Sequence, residues 1–160
     1  MQRRPLLISL LGAGSSLGIT LPAQAPHGWS SFDQNRPIYL EGKAVKVAWR
    51  NPHAELGLDI ASSLKLPADM ASRKLPAQTA PVDGAELLKK AQLPTRSDKR
   101  WLVELAPLTR MEAWKVPEIK DGTSLAVLGF TFVGEKGEAI LRVEYLWLGA
   151  SVFALRSSPA

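Results

Sequence analysis

His27 and His53 are the only two imidazoles in a chain of 160 residues. Neutral imidazole is the side-chain ligand most used for zinc, copper and nickel, so a divalent, copper-type ion is the first chemistry to weigh. His27 falls in the turn-rich stretch 26–36, PHGWSSFDQNR, and His53 closes Asn51-Pro52-His53 between two strand-like runs. An arm lying against that turn would bring the pair together, and a free amino terminus beside His27 would add a nitrogen. The chain has no cysteine, which excludes thiolate metal sites, disulfides and thiol catalysis. Two imidazoles without a carboxylate cluster fall short of a closed structural site. The alternative for His53 is a backbone hydrogen bond that fixes the turn, and for His27 a polar cap beside Trp29. Trp29, Trp49 and Asn51 flank the histidines and form the candidate ligand or partner surface.

Other chemistry is weaker in the sequence. After the apolar leader, whose Gly14-Ser15-Ser16-Leu17-Gly18 belongs to the export pattern, no G-x-S-x-G elbow and no glycine-rich phosphate loop occurs, and two histidines among many serines do not define a triad. Glu41, Glu55, Asp59, Glu104 and Glu144 occupy alternating strand positions, where a solvated face puts carboxylates. Trp49, Trp101, Tyr145 and Trp147 would suit base stacking, but they lie on the apolar side of their strands, where a core explains them. The expectation is therefore a non-enzymatic binding or accessory module with no nucleic-acid partner and no resident cofactor, the copper-type site being the alternative and an uncharacterised enzyme the third. Its partner would be a small ligand or an envelope protein, met at an exposed sheet edge or at the long basic segment 62–100.

The elements that would position these residues begin after a leader. Residues 1–25 show the export pattern, with Arg3 and Arg4, an apolar run and the small-residue end Ala23-Gln24-Ala25. The run is short and broken by glycines and serines, so it predicts a cleaved signal and no permanent membrane span, hence a periplasmic protein. Pro26 is a poor neighbour for a signal peptidase, which makes cleavage after Ala23 the competing register; Arg3-Arg4 faintly resembles a twin-arginine signal, although the Sec route fits better. The whole chain carries +5 from 20 basic and 15 acidic residues. Both leader arginines leave with the signal, and the remaining +3 is too small to mark a polyanion partner.

Composition, 46% hydrophobic and 22% charged, supports one globular domain. An N-terminal arm over 26–37, pinned by Trp29 and Phe32, precedes a domain over 38–157. Its first strand changes apolar face near Gly42, from Ile38 and Leu40 to Val45, Val47 and Trp49, as a long bent barrel strand does. Leu56, Leu58 and Ile60 alternate in a second strand, and Trp101, Val103 and Leu105 in a third. Leu108, Met111 and Trp114 have helical spacing and predict a short plug helix. A fourth strand spans 124–132 with a break at Gly129, a fifth 139–148, and an edge strand 152–155. Between the second and third strands, 62–100 is rich in prolines and basic pairs and predicts a long flexible insertion, with a helix capped at Asp83 by Glu86 and running to Ala91. Five strands with a helix between the third and fourth predict an all-β, OB-fold-like five-stranded barrel; an open sandwich or a meander is the alternative.

Several words of the sequence are characteristic together: Gly28-Trp29, Phe32-Asp33, Leu40-Glu41-Gly42 and Trp49-Arg50-Asn51-Pro52-His53. On these the chain resembles the exported bacterial proteins of domain-of-unknown-function family 6152, with Trp101, Glu104, Pro107, Arg110, Trp114 and Asp121-Gly122 similar to the family's later landmarks. The resemblance covers most of the chain after the leader and implies export and the OB-like fold. It implies no activity. Pro26 stands where the family's first histidine of a His-His pair would be, and 62–100 is longer than the family's usual hairpin connection.

Overall fold

The computed structural model describes residues 27–160, and the leader expected at 1–25 and Pro26 lie outside the described residues. Six strands form one sheet: β1 (Ile38–Ala48), β2 (Glu55–Ile60), β3 (Arg100–Glu104), β4 (Ser124–Phe130), β5 (Ile140–Leu148) and β6 (Ser151–Ala154). Hydrogen bonding runs in the order β3-β2-β1-β4-β5-β6, and β3 also pairs with β5 in parallel. That pairing closes the first five strands into a mixed barrel with the OB-like order. The plug helix α2 (Leu108–Ala113) connects β3 to β4. The interior is apolar, with Leu40, Leu56, Leu58, Trp101, Val103, Val127, Leu141 and Leu146 fully buried and Met111 packed on them from α2.

Two bulges let short strands close a ring. Between Val45 and Ala48, β1 advances three residues while β2 advances two. Lys46 is the extra one, with φ +50°, so the face change falls there and not at Gly42. Gly42 has another task. A Cβ at this position would stand 1.9 Å from the Asp59 carbonyl oxygen, so only glycine lets β2 cross this closely. In the second bulge Leu128 faces Tyr145 and Gly129 faces Val143, leaving Glu144 as the unpaired residue of β5. Alternation therefore inverts along β5. Leu141 and Val143 point into the barrel, while Tyr145 and Trp147 belong to a cluster outside it.

That outer cluster is where 62–100 is held. Met70, on a short 3-10 turn, and Leu88, on α1 (Gly84–Lys90), are each 2% exposed and pack on Tyr39, Leu128 and Tyr145. The predicted cap is present, the Asp83 side chain accepting from the Glu86 N–H at 3.0 Å. Main-chain bonds add to the packing, from Tyr39 N–H to the Gln92 carbonyl and from Thr79 N–H to the Ser158 carbonyl. The segment expected as a flexible insertion is thus a packed second layer. Its leucines, too sparse for a core of their own, bury against aromatics that the β5 bulge turns outward.

Candidate functional site

The N-terminal arm lies over the seam where β3 and β5 close the barrel. Phe32 is 5% exposed and stacks on Phe132 with ring centroids 5.2 Å apart. Trp29, on a 3-10 turn, meets Phe130 edge-on, and Asp33 N–H donates to the Thr131 carbonyl. The two expected anchors are therefore the observed ones. His27 sits at the arm's start, edge-on to both Phe32 and Phe132.

Beneath the arm, the parallel register sets Glu104 of β3 opposite Arg142 of β5. Both were expected on a wet face or passed over; they are 5% and 4% exposed, because the arm covers the outer side of this seam. His27 Nδ1 lies 2.9 Å from Glu104 Oε1, and Arg142 Nη1 lies 3.6 Å from Glu104 Oε2. On the other side, Arg142 Nη2 donates to His53 Nε2 at 3.3 Å. The turn before β2 holds His53 in place, because Ala54 N–H donates to the Ala106 carbonyl and Leu105 N–H to the Ala54 carbonyl. The chain's two histidines thus end a four-membered polar row, His27–Glu104–Arg142–His53, drawn from four segments.

A guanidinium only donates, so His53 Nε2 must accept and Nδ1 must carry the proton. Burial, and then the Arg142 charge, push the His53 pKa below the ordinary value, with Arg110 acting the same way and Glu104 opposing. His53 is accordingly a neutral ring. Burial also lowers the Arg142 pKa, with Glu104 restoring part of it. Four buried groups in this row lack a hydrogen-bond partner: His53 Nδ1, Arg142 Nε, Arg142 Nη1 and Glu104 Oε2. Three are donors and one accepts.

A second charged group buttresses the seam. Glu144, the bulged residue of β5 and likewise expected on a wet face, is fully buried. Its carboxylate accepts from Arg156 Nε at 2.7 Å and Gln78 Nε2 at 3.0 Å. Arg156 also donates to Gln34 Oε1 and lies 3.9 Å from the Trp29 ring centroid, while the Arg142 guanidinium lies 5.1 Å from the same ring. Trp29 is so held by two cations, and insertion and C-terminal tail meet on one carboxylate, which the arm reaches through Arg156.

The other expected positions separate from this group. Trp49 is half-buried against the barrel core and Asn51 is exposed at the cis Asn51–Pro52 turn. Among the described residues no three His, Cys, Asp or Glu side chains are grouped to hold a metal ion. Sequence reasoning missed Glu104, Arg142, Glu144 and Arg156. The available signal was a Glu and an Arg-x-Glu inside otherwise apolar strands, which reads as solvent alternation unless the strand's outer face is known to be covered.

Compared with known proteins, residues 16–65 match the model of a family of unknown function (DUF6152), which supports membership of that family. The match takes in the arm, β1 and β2, and so both histidines. No curated protein and no solved structure matches the chain. Among the described residues no helix is long and apolar enough to cross a membrane.

Proposed function

We propose that this is an exported, periplasmic, non-enzymatic binding module whose ligand is held at the β3–β5 seam beneath the arm. The observation that carries this reading is the buried Glu104–Arg142 pair with its unpartnered atoms. Burying two charges costs several kcal/mol per ion, and apolar residues would close the seam at least as stably. Donors and acceptors left open at such a place are provision for another molecule. Arg142 Nη1 and Glu104 Oε2 face each other at 3.6 Å, so the two atoms of the row without any counterpart, His53 Nδ1 and Arg142 Nε, are both donors, and the ligand is a small oxygen-rich molecule or an oxygen-bearing side chain of an envelope protein. His53, neutral and with Nε2 engaged by Arg142, is poorly set to take a proton from a substrate, which favours binding over catalysis. The export pattern of 1–25 and the family resemblance support the location.

The second reading is a copper-type ion held by His27 and His53, favoured by the convergence of both imidazoles on one ion pair. It requires His53 to release Arg142 or shed its Nδ1 proton, and it places a cation beside the guanidinium. One experiment separates the readings. The purified exported chain is titrated calorimetrically with citrate, phosphate, copper(II), zinc(II) and nickel(II), alongside Arg142→Met and a His27→Ala, His53→Ala double variant, each checked for folding by circular dichroism. Oxyanion binding abolished by Arg142→Met supports the seam as an oxygen-ligand site. Stoichiometric copper binding lost only in the double histidine variant supports the metal site. Heat in neither series refutes both and makes the histidines structural.

A further inference from the structure

A groove of about 960 Å³, with no residue of the arm or the seam among those that line it, is bounded by the outer face of β1 and β4, the β5–β6 hairpin and residues 67–74. We propose that it binds an acidic saccharide, a site independent of the seam.

The sheet register builds its floor. Glu41 pairs with Ala126, Ala126 with Trp147, and Trp147 with Val152, one lateral row across four strands. Neighbouring strands stand about 4.8 Å apart, so Glu41 and Trp147 are separated by about 10 Å with only the methyl of Ala126 between them. That gap leaves room for a pyranose ring to lie on the floor between the two side chains. The next row, Lys43 opposite Ser124, again has a small residue on its floor. Further along, the same face is filled by Met70 and Leu88, so the groove is the part of the outer sheet that the insertion leaves uncovered.

The wall chemistry selects the occupant. Trp147 is only partly buried and offers an indole on which the C–H face of a sugar can pack. The Arg73 guanidinium, 5.2 Å from the ring centroid, fixes its position. Tyr39 donates to Glu41 Oε2 at 2.7 Å, which orients the carboxylate and leaves Oε1 to accept a sugar hydroxyl. The other acids are engaged, Asp69 by Arg73 and Asp59 by Arg100. Lys43 and Lys74 line the same groove, and both are exposed and free of ion pairs among the described residues. Two unpaired ammonium groups beside an indole and a single oriented carboxylate suit a saccharide that carries its own carboxylate.

The test uses three probes on the exported chain: an oligogalacturonide, a neutral galactose oligomer of equal length, and acetate. Calorimetry gives affinity, and the indole Nε1–H resonance of Trp147, assigned through Trp147→Phe, reports the place. The acidic oligomer is expected to move that resonance. The exposed double variant Lys43→Ser, Lys74→Ser should weaken it by about tenfold, and the neutral oligomer should bind the native chain more weakly by a similar factor. His53→Ala should leave both effects intact, which separates this site from the seam. A resonance that stays still overturns the proposal. So does equal affinity for acidic and neutral oligomers, or acetate matching the oligomer.

Discussion

Gly129→Ala should be among the most damaging conservative changes in this chain, because it tests whether the Glu144 bulge holds the barrel closed. A Cβ at Gly129 would stand 2.2 Å from the Arg142 carbonyl oxygen, where ordinary contact begins at 3.4 Å. β4 and β5 must therefore part by about 1.2 Å at the pairs Gly129–Val143 and Phe130–Arg142. A ladder hydrogen bond of about 2.9 Å does not survive that displacement. Two such bonds at about 1 kcal/mol each, with about 1–2 kcal/mol for displaced packing, give a loss of about 3–4 kcal/mol. The midpoint of thermal unfolding should fall by roughly 10 °C for a domain of this size. Gly28→Ala is the control: its backbone is extended at φ −70° and its nearest contact would be 3.9 Å away, so the expected change is a gain of at most about 1 kcal/mol. Urea unfolding followed by tryptophan fluorescence measures both. Equal stability of the two variants would refute the bulge geometry, and with it the account of how Arg142 is aimed at the seam.

Two further outcomes follow from the covered faces. The His53 pKa is lowered by burial first and by Arg142 second, so between the unfolded value of about 6.5 and the folded one the unfolded chain binds the extra proton. The His53 contribution is complete above about pH 6.5 and is lost as pH falls towards the folded pKa. His53→Asn should flatten the stability profile over that window, and an unchanged slope would show that His53 is solvated. Leu88→Ala, which empties a site 2% exposed, should cost about 2–4 kcal/mol and open 62–100 to limited proteolysis; a loss under about 0.5 kcal/mol would mean that the segment is not packed on the barrel.

Period-two alternation and helical spacing placed all the barrel strands, the plug helix and the Asp83 cap, because each is a local pattern that one burial face or one side-chain bond dictates. The same alternation failed at Glu104 and Glu144. It assumes that the face opposite the core meets water, whereas here the arm and the C-terminal tail cover it. Gly42 and Gly129 were both recognisable as breaks, yet only the strand register showed that one is a close crossing and the other faces a bulge on its neighbour. Leucines between prolines in 62–100 carried no period, so nothing local announced that they pack on Tyr39 and Tyr145.

The sequence by itself determined the strand order, the closed OB-like barrel and the arm with its two aromatic anchors, since these follow from short-range pattern and from a chain that must bury its apolar faces. Tertiary structure alone decided what stands between the histidines. A parallel pairing of two strands distant in sequence set Glu104 beside Arg142, and the covering arm turned an expected wet face into a buried charged one. No local period encodes which strand becomes the neighbour across a barrel's closing seam.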